Sequence, residues 1–223
     1  MPTTPALVFD LDGTLVDTAR DLLGALNWVL VRHGRRTVEP DEVGRLVGHG
    51  ARAMLVEAMH RTGEAVSPED LPPLFDAYIA RYRAHVADHS QPYPGVAATL
   101  GALAQTGARM GVLTNKPQEL ADPLLATLDL ARFFAAIHGA GRFSYSKPDA
   151  RVFHHVLDEL GGSGNGAVMI GDSATDVATA RAAGAPVVLV SYGYTSEPVH
   201  TLGADAVIDD FAELPAVLEH LLA

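Results

Sequence analysis

From Val96 onward, short apolar runs alternate with longer stretches of helical spacing. The runs read as strands over 109–114, 135–137, 167–170, 186–190 and 206–208, and helical stretches occupy 96–106, 118–128, 149–160 and 174–183. A further apolar run, Ala6 to Phe9, stands near the N-terminus and is short enough to be a fully buried strand. Strands that alternate with helices are joined by right-handed β-α-β units, which demands a parallel sheet. Ligands of such sheets bind beyond the carboxyl ends of the strands. The expected fold class is α/β, a Rossmann-like parallel sheet flanked by helices.

No strand-like run interrupts residues 18–89. Asp17-Thr18 reads as a helix N-cap, Leu22, Leu26, Val29 and Leu30 follow at helical spacing, and Gly34 ends that helix. Helical stretches are expected again through Leu46, over 51–61, and from Pro68 towards His89. Gln91-Pro92-Tyr93-Pro94-Gly95 is a turn-rich boundary. The expected organisation is a core formed by 1–16 and 91–223, with a small all-helical unit, 17–90, inserted after the first strand. Gly161 to Gly166 is glycine-rich but precedes a strand, so it lacks the context of a dinucleotide-binding turn and reads as a loop.

The chain has 223 residues, enough for a sizeable core in one or two domains. Its hydrophobic content of 48% excludes a largely disordered chain, and no apolar run approaches the ~20 residues of a membrane-spanning helix. Sixteen Lys and Arg against 27 Asp and Glu give a formal charge of −11, which argues against nucleic acid as a partner. There is no cysteine, and Met1-Pro2-Thr3-Thr4-Pro5 has no secretion-signal character, so the cytoplasm is the default expectation. Oligomeric state is not legible.

The chemistry gathers at strand ends. Ala6 to Phe9 runs directly into Asp10-Leu11-Asp12-Gly13-Thr14-Leu15. Residues two apart in an extended chain share a side, which would start Asp10 and Asp12 together, and Gly13 lets the backbone turn beyond them. Two adjacent carboxylates need a compensating cation, and a hard ion such as Mg²⁺ suits their oxygens. The bland alternative is a strand ending in a polar turn capped by aspartate. Leu113-Thr114-Asn115-Lys116-Pro117 ends the next strand with groups able to donate to an oxyanion. Ser146-Lys147-Pro148 places a cation ahead of a helix. Ile170-Gly171-Asp172-Ser173-Ala174-Thr175-Asp176 carries a strand into two more acids, one helical turn apart. Its bland reading is an N-capped helix with an acid in the first turn. The pairs His85/His89 and His154/His155 lack a zinc-site context and read as surface or packing residues.

These four motifs resemble those of the haloacid dehalogenase-like superfamily, in its phosphatase branch, and together they span most of the chain. The resemblance implies a Mg²⁺-dependent phosphatase acting on a small phosphate monoester. Asp10 would be the nucleophile that forms an aspartyl-phosphate, and Asp12 the acid and base for the leaving alkoxide and the attacking water. Lys147 would neutralise nucleophile and phosphoryl group, with Thr114, Asn115 and the turn at Gly13 donating to phosphoryl oxygens. The metal would be held by Asp10, the backbone carbonyl of Asp12 and Asp172, with Asp176 supporting. Asp149 stands where many relatives carry a second proline, a departure expected to affect helix entry and not charge. Dehalogenating members lack the second acid, so Asp12 favours phosphate chemistry.

The helical insert corresponds to the family's lid. Gly48-His49-Gly50-Ala51-Arg52 breaks it with a turn that is either a connector or a face of the site; in the second case Arg52 could grip a substrate carboxylate. The Thr114-Asn115-Lys116-Pro117 string, the Gly48 to Ala51 turn and Tyr192-Gly193-Tyr194 are most similar to the phosphoglycolate phosphatase subgroup. Relatives acting on sugar phosphates, N-acetylmuramate 6-phosphate, nucleotides or pyrophosphate have similar motifs. A β-phosphoglucomutase-like mutase and a catalytically silent binding protein are the competing readings.

Overall fold

The computed structural model describes residues 5–46, 50–161 and 166–222. Gly48 and His49 of the insert turn, residues 162–165 of the glycine cluster and the first four residues lie outside them. In chain order the elements are β1 (Ala6–Phe9), β2 (Val16–Asp17), α1 (Ala19–Arg32), α2 (Ala51–Thr62), α3 (Leu71–Ala84), β3 (Gln91–Pro92), α4 (Val96–Gln105) and β4 (Arg109–Pro117). They continue with α5 (Gln118–Thr127), β5 (Ala136–Ala140), α6 (Ala150–Glu159), β6 (Ala167–Gly171), α7 (Ala174–Ala183), β7 (Val187–Val190), β8 (Ala206–Ile208) and α8 (Leu214–Leu221).

Six strands form one parallel sheet in the order β5-β4-β1-β6-β7-β8. β1 is central, and all four of its residues are buried. Its period of two divides the core: Leu7 and Phe9 join one cluster, Ala6 and Val8 the other. The first cluster takes in Leu100, Leu120 and Phe211 and extends into the inserted helices through Leu26, Leu55 and Tyr78. The second packs Val152, Phe153 and Val156 of α6 and Ala180 of α7 beneath Met169 and Leu189. Each fully buried Leu or Phe contributes about 1.5–3 kcal/mol to holding the sheet and its helices together.

The insert is helical, as its sequence suggests, but its second helical stretch is a 3₁₀ segment, Pro40–Arg45. Its two ends are joined by a feature too short to show in sequence: β2 and β3 pair antiparallel, Val16 with Pro92 and Asp17 with Gln91. Beside this ribbon Asp21 is buried, and its carboxylate accepts from the His89 and Ser90 amides and from Ser90 Oγ at 2.7–3.1 Å. Asp21 thus ties the start of α1 to the returning linker. Replacing it with Ala strands buried donors and is expected to cost about 2–4 kcal/mol, read as a lowered thermal midpoint. An unchanged midpoint would show that water serves these amides equally well.

Candidate active site

The carboxyl ends of β1 and β6 bring the acids together. The Asp10 amide donates to the Ile170 carbonyl at 2.8 Å, carrying the β1–β6 pairing one residue past the strand and setting Asp10 beside Gly171-Asp172. Carboxylate oxygens of Asp10, Asp172 and Asp176 all lie within 4.8 Å of one another. Lys147 reaches this group from the loop before α6. Its Nζ is 2.9 Å from Asp10 Oδ1 and 2.7 Å from Asp176 Oδ1, with the side chain 2% exposed. Separations of 137 and 162 residues along the chain thus close into one buried cluster.

Asp176 explains how the lysine is held. Its Oδ2 accepts from the amides of Asp172 and Ser173 and from Ser173 Oγ, while Oδ1 takes Lys147. Ser173 is the N-cap of α7 in a reciprocal capping box with Asp176. The helix-cap reading and the functional one therefore describe the same atoms. Asp172 accepts from the Tyr194 amide at 2.7 Å and from Thr14 Oγ1 at 3.4 Å. Space around it is tight: a Cβ on Gly13, whose φ is +83°, would sit 2.5 Å from Asp172 Oδ2, and one on Gly193 would fall on the Asp172 side chain. These glycines let two backbones close on the acid. Gly13 accordingly lies behind Asp172 and not on the cavity wall.

Asp12 lines the same cavity as Asp10, and its carboxylate has partners of its own. Thr18 Oγ1 donates to it at 2.7 Å, and Lys116 Nζ at 2.9 and 3.3 Å. Lys116 also donates to Tyr82 Oη on α3 at 2.6 Å, and its side chain is 2% exposed. Sequence reasoning ended the strand at Thr114 and left this lysine without a role. β4 in fact runs to Pro117, and Thr114 and Lys116, two apart, are both buried and both line the cavity. A lysine two positions beyond the motif threonine was the available signal.

A cavity of about 140 Å³ opens over the cluster. The sheet end contributes Asp10, Asp12, Thr114, Asn115, Lys147 and Asp172, and the insert contributes Leu22, Met54, Tyr78 and Tyr82. Asn115 Nδ2 donates to the Lys147 carbonyl at 3.2 Å, linking two of the expected site loops. Arg52 does not line it. Gly50, Ala51 and Met54 take the inward positions at the start of α2, so Arg52 projects to solvent, with its guanidinium 4.8 Å above the Phe75 ring. Asp149 caps α6 by accepting from the Arg151 amide, a local role at helix entry.

Burial pushes the Asp10 carboxyl up to about 6; Lys147 opposes the rise and Asp176 adds to it. Burial, then Asp176 and Asp10, raise Asp172 well above the carboxylate range. For Lys147, burial disfavours the charge, but Asp10 and Asp176 outweigh it and hold the ammonium above its ordinary range. Three carboxylates with one ammonium leave negative charge in excess, and the donors are hard oxygens, so the cluster fits a divalent metal. A metal there competes with protons on Asp10 and Asp172. Activation by Mg²⁺ is therefore expected to weaken as pH falls, its midpoint concentration rising about tenfold or more from pH 7.5 to 5.5. A pH-independent midpoint would separate these acids from the metal.

A parallel α/β sheet with an acid cluster and a buried lysine at its carboxyl edge defines a phosphoryl-handling hydrolase. The model of the haloacid dehalogenase-like hydrolases matches residues 7–190, and the chain belongs to that family. Over its full length it is 44% identical to a phosphoglycolate phosphatase of Agrobacterium fabrum, covering 96% of that protein. It is 34% identical to an N-acetylmuramic acid 6-phosphate phosphatase of Pseudomonas aeruginosa, covering 97% of this chain and 96% of the relative. The crystal structure of a predicted phosphoglycolate phosphatase from Haemophilus somnus superposes with a TM-score of 0.89 at 27% identity, over 96% of this chain and 97% of that one. The protein is a phosphoric monoester hydrolase.

Proposed function

We propose that the protein is a Mg²⁺-dependent phosphatase of small phosphate monoesters, with 2-phosphoglycolate as its substrate and glycolate and phosphate as products. The observation that carries this reading is the contact of Lys147 Nζ with Asp10 Oδ1 at 2.9 Å, beside Asp172 on the wall of one cavity.

Asp10 attacks phosphorus through a carboxylate oxygen, and the ester oxygen leaves with its electron pair, giving an aspartyl-phosphate. Asp12 supplies the proton that the leaving alkoxide takes up. It then accepts a proton from the water that attacks the aspartyl-phosphate, which returns Asp10 and releases phosphate. Lys147, with Thr114 and Asn115 at the carboxyl end of β4, offsets charge on the phosphoryl oxygens. Asp10, Asp172 and the Asp12 carbonyl would hold Mg²⁺, with Asp176 fixing Lys147 and the α7 turn beside it. Bound there, the ion supplies further positive charge to the phosphoryl group.

In this reading residues 17–90 are a cap over the site. Leu22, Met54, Tyr78 and Tyr82 give the cavity an apolar wall that limits water around the acyl-phosphate. A second substrate, N-acetylmuramate 6-phosphate, is suggested by the relative from Pseudomonas aeruginosa.

The test is kcat/KM for a panel of phosphate esters at fixed Mg²⁺, with free phosphate and isomerised products both measured. 2-Phosphoglycolate should lead the panel. A lead for the amino sugar phosphate would replace the substrate, and isomerised sugar phosphate without free phosphate would replace phosphatase by mutase.

A further inference from the structure

Two lysines line the cavity among its described residues, and only one has been given work. Lys147 is taken up by Asp10 and Asp176. Lys116 lies on the other side of Asp12, buried, held to both Asp12 oxygens and to Tyr82 Oη. The lysine stands near the end of β4, after Thr114 and Asn115, which also line the cavity. A buried ammonium is tolerated only while an anion accompanies it.

We propose that Lys116 is the specificity-determining residue for a second anionic group on the substrate, a carboxylate bonded directly to the carbon that bears the ester oxygen. The inference rests on the phosphatase reading above and deepens it. Asp12 must turn towards the ester oxygen to serve it, and in doing so it withdraws from Lys116. The substrate's carboxylate takes the vacated place, accepting from the same ammonium that the two Asp12 oxygens now share. An ester with that carboxylate keeps Lys116 paired throughout; an uncharged ester of the same size leaves it bare.

Geometry favours so short a substrate. Lys116 Nζ is 2.9 Å from the carboxylate that serves the ester oxygen, so an anion bound to this lysine lies within a few bonds of that oxygen. The apolar side chains of Leu22, Met54 and Leu120 also belong to the cavity wall. Tyr82 fixes the ammonium from the insert, so the carboxylate pocket is complete only with α3 in place over the sheet end. Arg52, by contrast, is exposed, stands over Phe75 and is not part of the cavity lining.

The experiment compares kcat/KM for 2-phosphoglycolate and for 2-hydroxyethyl phosphate, at saturating Mg²⁺, in the wild type, Lys116→Met and Lys116→Arg. The wild type should prefer the carboxylate by about 100-fold or more, and Lys116→Met should bring that ratio down to about threefold. Lys116→Arg should retain part of the preference because the charge remains. Equal proportional losses on both esters would overturn the proposal and reduce Lys116 to a support for Asp12. A wild type that hydrolyses both esters equally well overturns it too, while leaving the phosphatase reading intact; release of phosphate from neither removes both. A second measurement needs no variant. On the wild type turning over p-nitrophenyl phosphate, phosphonoacetate should inhibit about tenfold more strongly than ethylphosphonate, since they differ in the carboxylate alone. Equal inhibition overturns the assignment.

Discussion

Asp10→Asn is expected to lower phosphate release from p-nitrophenyl phosphate and from 2-phosphoglycolate by about 10⁴-fold or more, since an amide oxygen does not form the acyl-phosphate. The fold should survive this change. Asp10 is buried among Asp172, Asp176 and Lys147, and its carboxyl already sits near 6, so its charge is disfavoured where it stands. Asparagine removes a repulsive charge from a group that keeps Asp176 as partner for Lys147. The metal-free variant should therefore melt no lower than the wild type, while binding Mg²⁺ more weakly. Activity and stability thus move apart, which a merely structural aspartate would not do. Wild-type turnover in this variant would eliminate the nucleophile.

The second large effect concerns the counter-charge. Lys147→Met leaves three acids within 4.8 Å of one another and no ammonium among them. Breaking a buried charge pair by removing one partner costs about 3–5 kcal/mol. For a chain of this size that is a fall of about 10 °C in the metal-free thermal midpoint at pH 8. The sign with pH follows from the acids. The folded-state values of Asp10 and Asp172 are raised, so the cost of keeping these two charged is felt above those values and fades as pH falls and they take up protons. The deficit should be smaller at pH 6 than at pH 8, and added Mg²⁺ should recover part of it at the higher pH. Turnover should fall about 10³-fold, because charge on the phosphoryl oxygens loses its fixed partner. A midpoint that does not move at pH 8 would mean that Lys147 is not the cluster's counter-charge.

Both effects arise because the acids are crowded deliberately. Gly13 and Gly193 bring two backbones against Asp172, and Tyr194 binds it through its amide. The hydroxyl of Tyr194 also accepts from the Thr18 and Ala19 amides at the start of α1 and donates to Asp17. One residue therefore joins the acid cluster to the entry of the helical insert.

Much of this was legible in the chain. The alternation after Val96 implied the parallel sheet, because a buried strand leaves a short continuous apolar run and an amphipathic helix a periodic one. The strings at Asp10, Thr114, Lys147 and Asp172 pointed to the site because each is local: strand, turn and acid lie side by side in sequence. Only the fold could decide what depends on distant partners. That Asp12 pairs with Lys116, that Tyr82 from the insert completes this pair, and that Arg52 faces solvent over Phe75 are outcomes of packing between segments far apart in the chain. The short β2–β3 ribbon left no trace to read, since two paired residues carry no periodicity, whereas Leu214, Leu218 and Leu221 of α8 do stand at helical spacing. Sequence specified which chemical groups the protein carries at its strand ends; tertiary structure assigned their partners, because a buried charge takes its meaning from whatever the rest of the chain places beside it.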